Sequence, residues 1–164
     1  MRLSPKVLAR YAPPRKVKRR KTKSEKPGLR LRFQGSVRKD IGEPLKSFGG
    51  WLRRRFDFDH SVLVSVIQDV SVKTRKGIDT GACLTPKRPR NNETVRIFLC
   101  TGIIKRLEDF YGISGSFVVN NHLLPIFAKE IIRYLDWASG RKTNTRTLDA
   151  RAGALVRRFL KEKA

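Results

Sequence analysis

The run Ser61–Val70, SVLVSVIQDV, constrains the architecture more than any other stretch of this chain. It is dense in β-branched residues and apolar at both alternating positions, so as a strand it would have no solvated face. Such a strand belongs inside a sheet that is covered on each side. Thr94–Cys100, TVRIFLC, reads as a second strand, and the alternating LRLRF at 29–33 predicts a short third one. From Ile103 onward the period becomes helical. Ile103, Ile104, Leu107 and Phe110 form one apolar stripe that stops at Gly112. Leu124, Phe127, Ile131 and Leu135 recur at helical spacing within 122–138, with Asn121 or His122 as the cap. Leu148, Ala152, Leu155, Val156 and Phe159 mark a last helix opening at Thr147 or Leu148. Upstream, PLKSFGGWLRRRF at 44–56 predicts a short helix broken at Gly49–Gly50, with Phe48 and Trp51 inward and Arg53, Arg54 and Arg55 outward. Residues 71–92, with Gly77, Gly81, Pro86 and Pro89, read as a long loop or loose hairpin, and SFVV at 116–119 as a short strand or extended connection. The fold class is therefore α+β, a small sheet packed against three or more helices. Residues 31–164 form a single domain behind a disordered basic arm, 1–30.

Charge bears on partners. The chain of 164 residues carries a net charge of +24, and about half of it falls before Gln34, where Glu25 is the sole acid. Like charges at this density repel in the compact state and call for a polyanion or salt to offset them. Nucleic acid, RNA or DNA, is the expected partner, with other proteins of a nucleoprotein complex beside it. A membrane surface fits less well, because no stretch after the arm pairs a basic face with an exposed apolar one. No apolar run reaches the length of a membrane span. The segment PPRKVKRRKTK suits a nuclear address in a eukaryote or a nucleic-acid arm anywhere. The start MRLSPKVLARY resembles a mitochondrial presequence, but Pro5 and Pro13–Pro14 interrupt it.

In the most regular helix, Lys129-Glu130-Ile131-Ile132-Arg133 stands where a zinc peptidase would read His-Glu-x-x-His. The text LLPIFAKEIIRYLDWASGRKTNTRTLDARAGALVRRFL resembles the catalytic helix and following helix of small zincin-type metallopeptidases, and the resemblance runs from Thr94 to Phe159. It implies a sheet followed by the site helix, with Glu130 at the position of the general base. It also places Asp149, in Asp149-x-x-Ala152, at the position of the third ligand. Two imidazoles at i and i+4 on one helical face are what hold zinc, and the intervening Glu takes a proton from the metal-bound water. Here both imidazoles have become cations, and a protonated Lys or Arg does not ligate a metal. The expectation is a non-catalytic protein on a degenerate metallopeptidase-like core, with no metal and no cofactor. The alternative is a metallopeptidase-like enzyme, or a pseudoenzyme binding an acidic protein partner. Two arrangements fit the residues themselves. Lys129 and Arg133 could lie on a solvated face, with Glu130 and Arg133 as an ordinary helix pair. They could instead turn inward and pair with Glu130 and Asp149.

Other metal readings are weaker. His60, Cys83, Cys100 and His122 show no zinc-motif spacing. Phe56-Asp57-Phe58-Asp59-His60 reads as a charged turn before the strand. For phosphate contact the candidates are Arg15, Lys16, Lys18, Arg19, Arg20, Lys21 and Lys23 in the arm, and the triplet Arg53–Arg55. Lys87, Arg88 and Arg90 in the loop and Arg141, Lys142 and Arg146 between the last helices complete the set. Aromatic residues mostly sit in apolar stripes, so no stacking platform for single strands is expected.

Overall fold

The structure, a computed structural model, describes residues 15–16, 26–74, 77–86 and 94–164. Seven strands run β1 Arg15–Lys16, β2 Gly28–Phe33, β3 Ser61–Ile67, β4 Val72–Thr74, β5 Gly77–Asp79, β6 Gly81–Leu84 and β7 Val95–Cys100. The helices are α1 Lys39–Arg55, α2 Gly102–Tyr111, α3 Gly115–Val118, α4 Leu124–Ala138 and α5 Thr145–Lys163. The architecture is α+β. The main sheet has the order β2-β3-β7-β6, and a small sheet has the order β1-β4-β5. β2, β3 and β7 are parallel, while β6 runs antiparallel at one edge. As its composition requires, β3 is an inner strand, with β7 the other.

Register arranges the side chains into rows. Leu29, Val62 and Val95 align across the sheet, as do Leu31, Val64 and Ile97. This face joins α1, α2, α4 and α5 in one core cluster. The opposite face holds a smaller cluster of Ile67, Val72, Ala82, Phe98 and Cys100. The β2 strand begins at Gly28, and Leu29 is only 1% exposed, so the folded unit reaches into the segment expected to be arm. The segment expected to be a loop or loose hairpin contributes three strands. β4 and β5 form a hairpin, and β6 extends the main sheet.

Three expectations about helices give way to packing. First, α1 is unbroken through Gly49–Gly50. A Cβ on Gly49 would lie 2.8 Å from Leu31 Cδ1, so the glycine admits close approach of helix to strand rather than ending the helix. Second, SFVV is helical. Ser114 caps α3 by accepting from Phe117 N, and Val119–Leu123 form a π-helical turn that leads directly into α4. Pro125 in the first turn of α4 has no N–H, and its ring would crowd the carbonyl of Asn121. The wider turn, in which Leu124 N–H bonds Val119 O, accommodates it. Third, Phe110 leaves the apolar stripe of α2 and is 73% exposed.

α5 opens at Thr145, where Asn144 Oδ1 accepts from Arg146 N at 3.0 Å, slightly earlier than the apolar pattern suggests. An aromatic cluster ties three helices together. The fully buried Phe48 of α1 meets Phe127 of α4 at 5.4 Å and Phe159 of α5 at 5.0 Å between ring centroids. Removing such a ring costs about 3–5 kcal/mol. Among the described residues, no helix is long and apolar enough to cross a membrane.

Candidate functional site

α4 is buried nearly all round, so it offers no broad solvated face for Lys129 and Arg133. Both are paired and partly buried. Lys129 Nζ lies 2.5 Å from Asp149 Oδ1 on α5, with its side chain only 15% exposed. Arg133 donates to Glu130 Oε1 at 2.5 Å within α4. That contact has the spacing of an ordinary helix pair, but Glu130 is buried and its Oε2 has no partner among the described residues. Desolvation raises the Glu130 carboxyl above its ordinary range, and Arg133 only partly counters the effect. Desolvation also works against the charge on Arg133, but Glu130, with Asp79 and Cys83 behind it, outweighs that and holds the guanidinium charged. Asp79 of β5 and Cys83 of β6 are near enough to act on this pair, and burial pushes the Cys83 thiol well up.

The residues present do not fit a zinc ion. Lys129 and Arg133 carry no free lone pair while protonated. Among the described residues no group of three or more His, Cys, Asp or Glu is gathered to hold a metal. His60 is buried beside the Tyr134 hydroxyl, 3.3 Å from its Nδ1, and against the Trp137 ring, while Asp57 and Asp59 stay exposed. That is the charged turn expected before β3.

Sequence reading missed a second link between the last two helices. Arg151 of α5 forks onto the buried Asp136 of α4 with bonds of 2.8 and 2.9 Å, and this pairing holds the Asp136 carboxyl below its ordinary range. The apolar stripe of Leu124, Phe127, Ile131 and Leu135 leaves Asp136 on another face of the helix. The usable signal was instead that α4 is apolar on several faces at once, which leaves little room for a solvated acid.

The basic residues divide into groups that the fold separates. Arg53, Arg54 and Arg55 occupy the last turn of α1, where successive side chains point about 100° apart. Arg53 donates to Leu29 O at 3.1 Å. It lines a concavity of about 440 Å³ with Lys26, Arg30, Phe56 and Phe58, in which Asp57 is the acid. Arg55 turns the other way, over the Trp51 ring at 5.5 Å and onto Glu162 Oε2 at 2.5 Å. A groove of about 570 Å³ between α1 and α5 lies on that side, lined by Lys46, Arg54, Arg55 and Lys163 over Trp51 and Phe159. Glu162 is the acid of this groove. Trp51 Nε1 donates to it at 2.7 Å and Arg158 at 3.1 Å, and these bonds with that of Arg55 keep its carboxyl below its ordinary range. Arg158, bonded to Glu162, and Lys163, in the groove lining, add to the patch, and sequence reading did not select them. Cations in the last turns of α1 and α5 also complement the helix dipoles, so part of this charge has a local structural use.

Arg146 is exposed at the opposite end of α5, about 24 Å from Glu162 at 1.5 Å per residue, and Arg141 and Lys142 are exposed in the connection just before that end. They form a separate patch. Arg15 and Lys16 belong to β1, paired in parallel with β4. Lys18, Arg19, Arg20, Lys21, Lys23, Lys87, Arg88 and Arg90 lie outside the described residues. Comparison of the chain with protein-family models, with curated proteins and with solved structures gives no match.

Proposed function

We propose that this protein is a non-catalytic nucleic-acid-binding protein that grips phosphates through the cationic concavities flanking the end of α1. One observation carries the reading. Three consecutive arginines fan out between two concavities, each of which sets several cations against a single carboxylate. Arg54 has no ion-pair partner among the described residues, whereas Arg55 and Arg158 are held in place by Glu162. A fixed cation beside an uncommitted one suits a phosphate chain, whose charge repeats at short intervals. Contacts of this kind hold a backbone without reading sequence. The net charge of +24 gives the same preference at long range.

The core beneath this surface we read as a degenerate metallopeptidase-like one. Supporting this is the pairing of Lys129 with Asp149 and of Arg133 with Glu130, the acids that the zincin resemblance singles out.

Fluorescence anisotropy with labelled duplex and single-stranded oligonucleotides tests the phosphate reading. If on the order of 6–10 phosphates are neutralised, affinity falls by about a thousandfold or more between 50 and 200 mM salt. Substituting both Arg54 and Lys163 by Ala should reduce the log–log salt slope by about 2, similarly for all sequences. Affinity that ignores salt would overturn the reading. It would leave a module whose charge meets an acidic protein surface.

A further inference from the structure

Among the described residues the exposed large apolar side chains are Phe110, Tyr111 and Phe117, all in one short stretch. Phe110 is 73% exposed, Phe117 55% and Tyr111 43%. Phe110 and Tyr111 end α2, where Gly112 in the left-handed conformation stops the helix. Phe117 lies in α3, which packs against both α2 and α1. The Phe110 and Tyr111 rings meet edge to face at 4.9 Å, an arrangement that leaves a ring face open. The core makes no use of these rings, and clustered exposed apolar surface marks an interaction site.

Charge selects the occupant. A second copy of the chain would bring another +24 toward the first, so self-association is opposed. Beside the rings the same helix carries exposed Lys105 and Arg106 and the exposed Asp109, while Glu108 is taken up by Arg38, so the local charge does not repel a polyanion. Exposed rings on a chain of net charge +24 match the two parts of an unpaired nucleotide, a base to stack and a phosphate drawn in by the overall charge. A duplex offers its bases only at the ends. Resting on the phosphate-binding reading above, we propose that Phe110, Tyr111 and Phe117 form a stacking platform for the unpaired bases of single-stranded nucleic acid.

Affinities of the full chain and of its Phe110→Ala/Phe117→Ala variant are to be measured for a single strand and for a duplex of equal length at the same salt. Because both rings are exposed, the variant should melt with the wild type. Single-strand affinity should drop about tenfold or more, with duplex affinity changing by no more than about twofold. Equal losses on both ligands would overturn the platform. So would unchanged single-strand binding, which would assign the patch to a protein partner. Self-association of the wild type in sedimentation, abolished in the variant, would overturn it in favour of a second copy. If the wild type binds neither nucleic acid, the phosphate reading itself fails, an outcome the variant does not influence.

Discussion

Buried inside α4, the Glu130 carboxyl has one oxygen on Arg133 and the other without a partner among the described residues. Because burial raises its folded-state pKa above that of the unfolded chain, the folded protein retains this proton longer. Stability from this group is therefore greatest at low pH and declines as pH rises from the ordinary carboxylate range through the raised value. Replacing Arg133 by Ala removes the cation that opposes the shift, so the loss should grow with pH. Chemical denaturation is expected to find Arg133→Ala destabilised by roughly 2–3 kcal/mol at pH 8 and by less at pH 5. Equal losses at both would mean that ionisation of Glu130 is not felt. Asp136 has the opposite sign. Its carboxyl is held low by Arg151, so its contribution is present above the ordinary carboxylate range and fades as pH falls through the depressed value. Asp136→Asn should therefore flatten the acid limb of the stability profile, whereas Glu130→Gln should flatten the neutral limb. In the sequence the pairing of Glu130 stood as one of two arrangements, and the burial of Asp136 showed only in the many-sided apolar character of α4. A carboxylate in an amphipathic helix looks the same whether the neighbouring element covers it or not.

α4 and α5 are clamped by two ion pairs of opposite sense, Lys129 to Asp149 and Asp136 to Arg151. This geometry allows a direct test of the zincin resemblance. With His in place of both Lys129 and Arg133, two imidazoles would share one face of α4 at i and i+4, and Asp149 already reaches the first of these positions. The double variant is expected to bind about one zinc per chain at neutral pH, and to lose it when Asp149 is also changed to Ala. Metal analysis showing none would mean that α4 and α5 do not supply a metal-site geometry. The helix pattern itself was largely readable, since Ile103, Ile104 and Leu107 and the stripe from Leu124 to Leu135 recur at the proper spacing. Its start was not. SFVV has strand-like composition, but Ser114 caps it, and the turn at Val119–Leu123 carries it into α4 past Pro125. Propensity is a weak prior once a cap and a packing surface are present.

For the whole molecule, self-repulsion at +24 should weaken the compact state at low ionic strength. Thermal melting is expected to move up by several degrees when sulfate or a short oligonucleotide is added, through screening and through binding to the folded form. A melting temperature indifferent to both would remove self-repulsion as a factor. The domain boundary gives a second expectation. Because Leu29 is buried in the core and Gly28 begins β2, deleting residues 1–25 should leave a cooperatively unfolding domain, whereas deleting 1–30 should not. The sequence by itself determined the α+β class and the inner position of β3, because a strand apolar on both sides can be satisfied only between neighbours with cover above and below. It also determined that the chain is a polycation, since charge is additive and needs no fold. Only the tertiary structure decided which cations converge, that Glu162 holds Arg55 and Arg158 beside the uncommitted Arg54, and that Phe110 faces solvent. Those facts depend on which elements meet, and contact between residues as distant in the chain as Arg55 and Glu162 leaves no local periodicity to read.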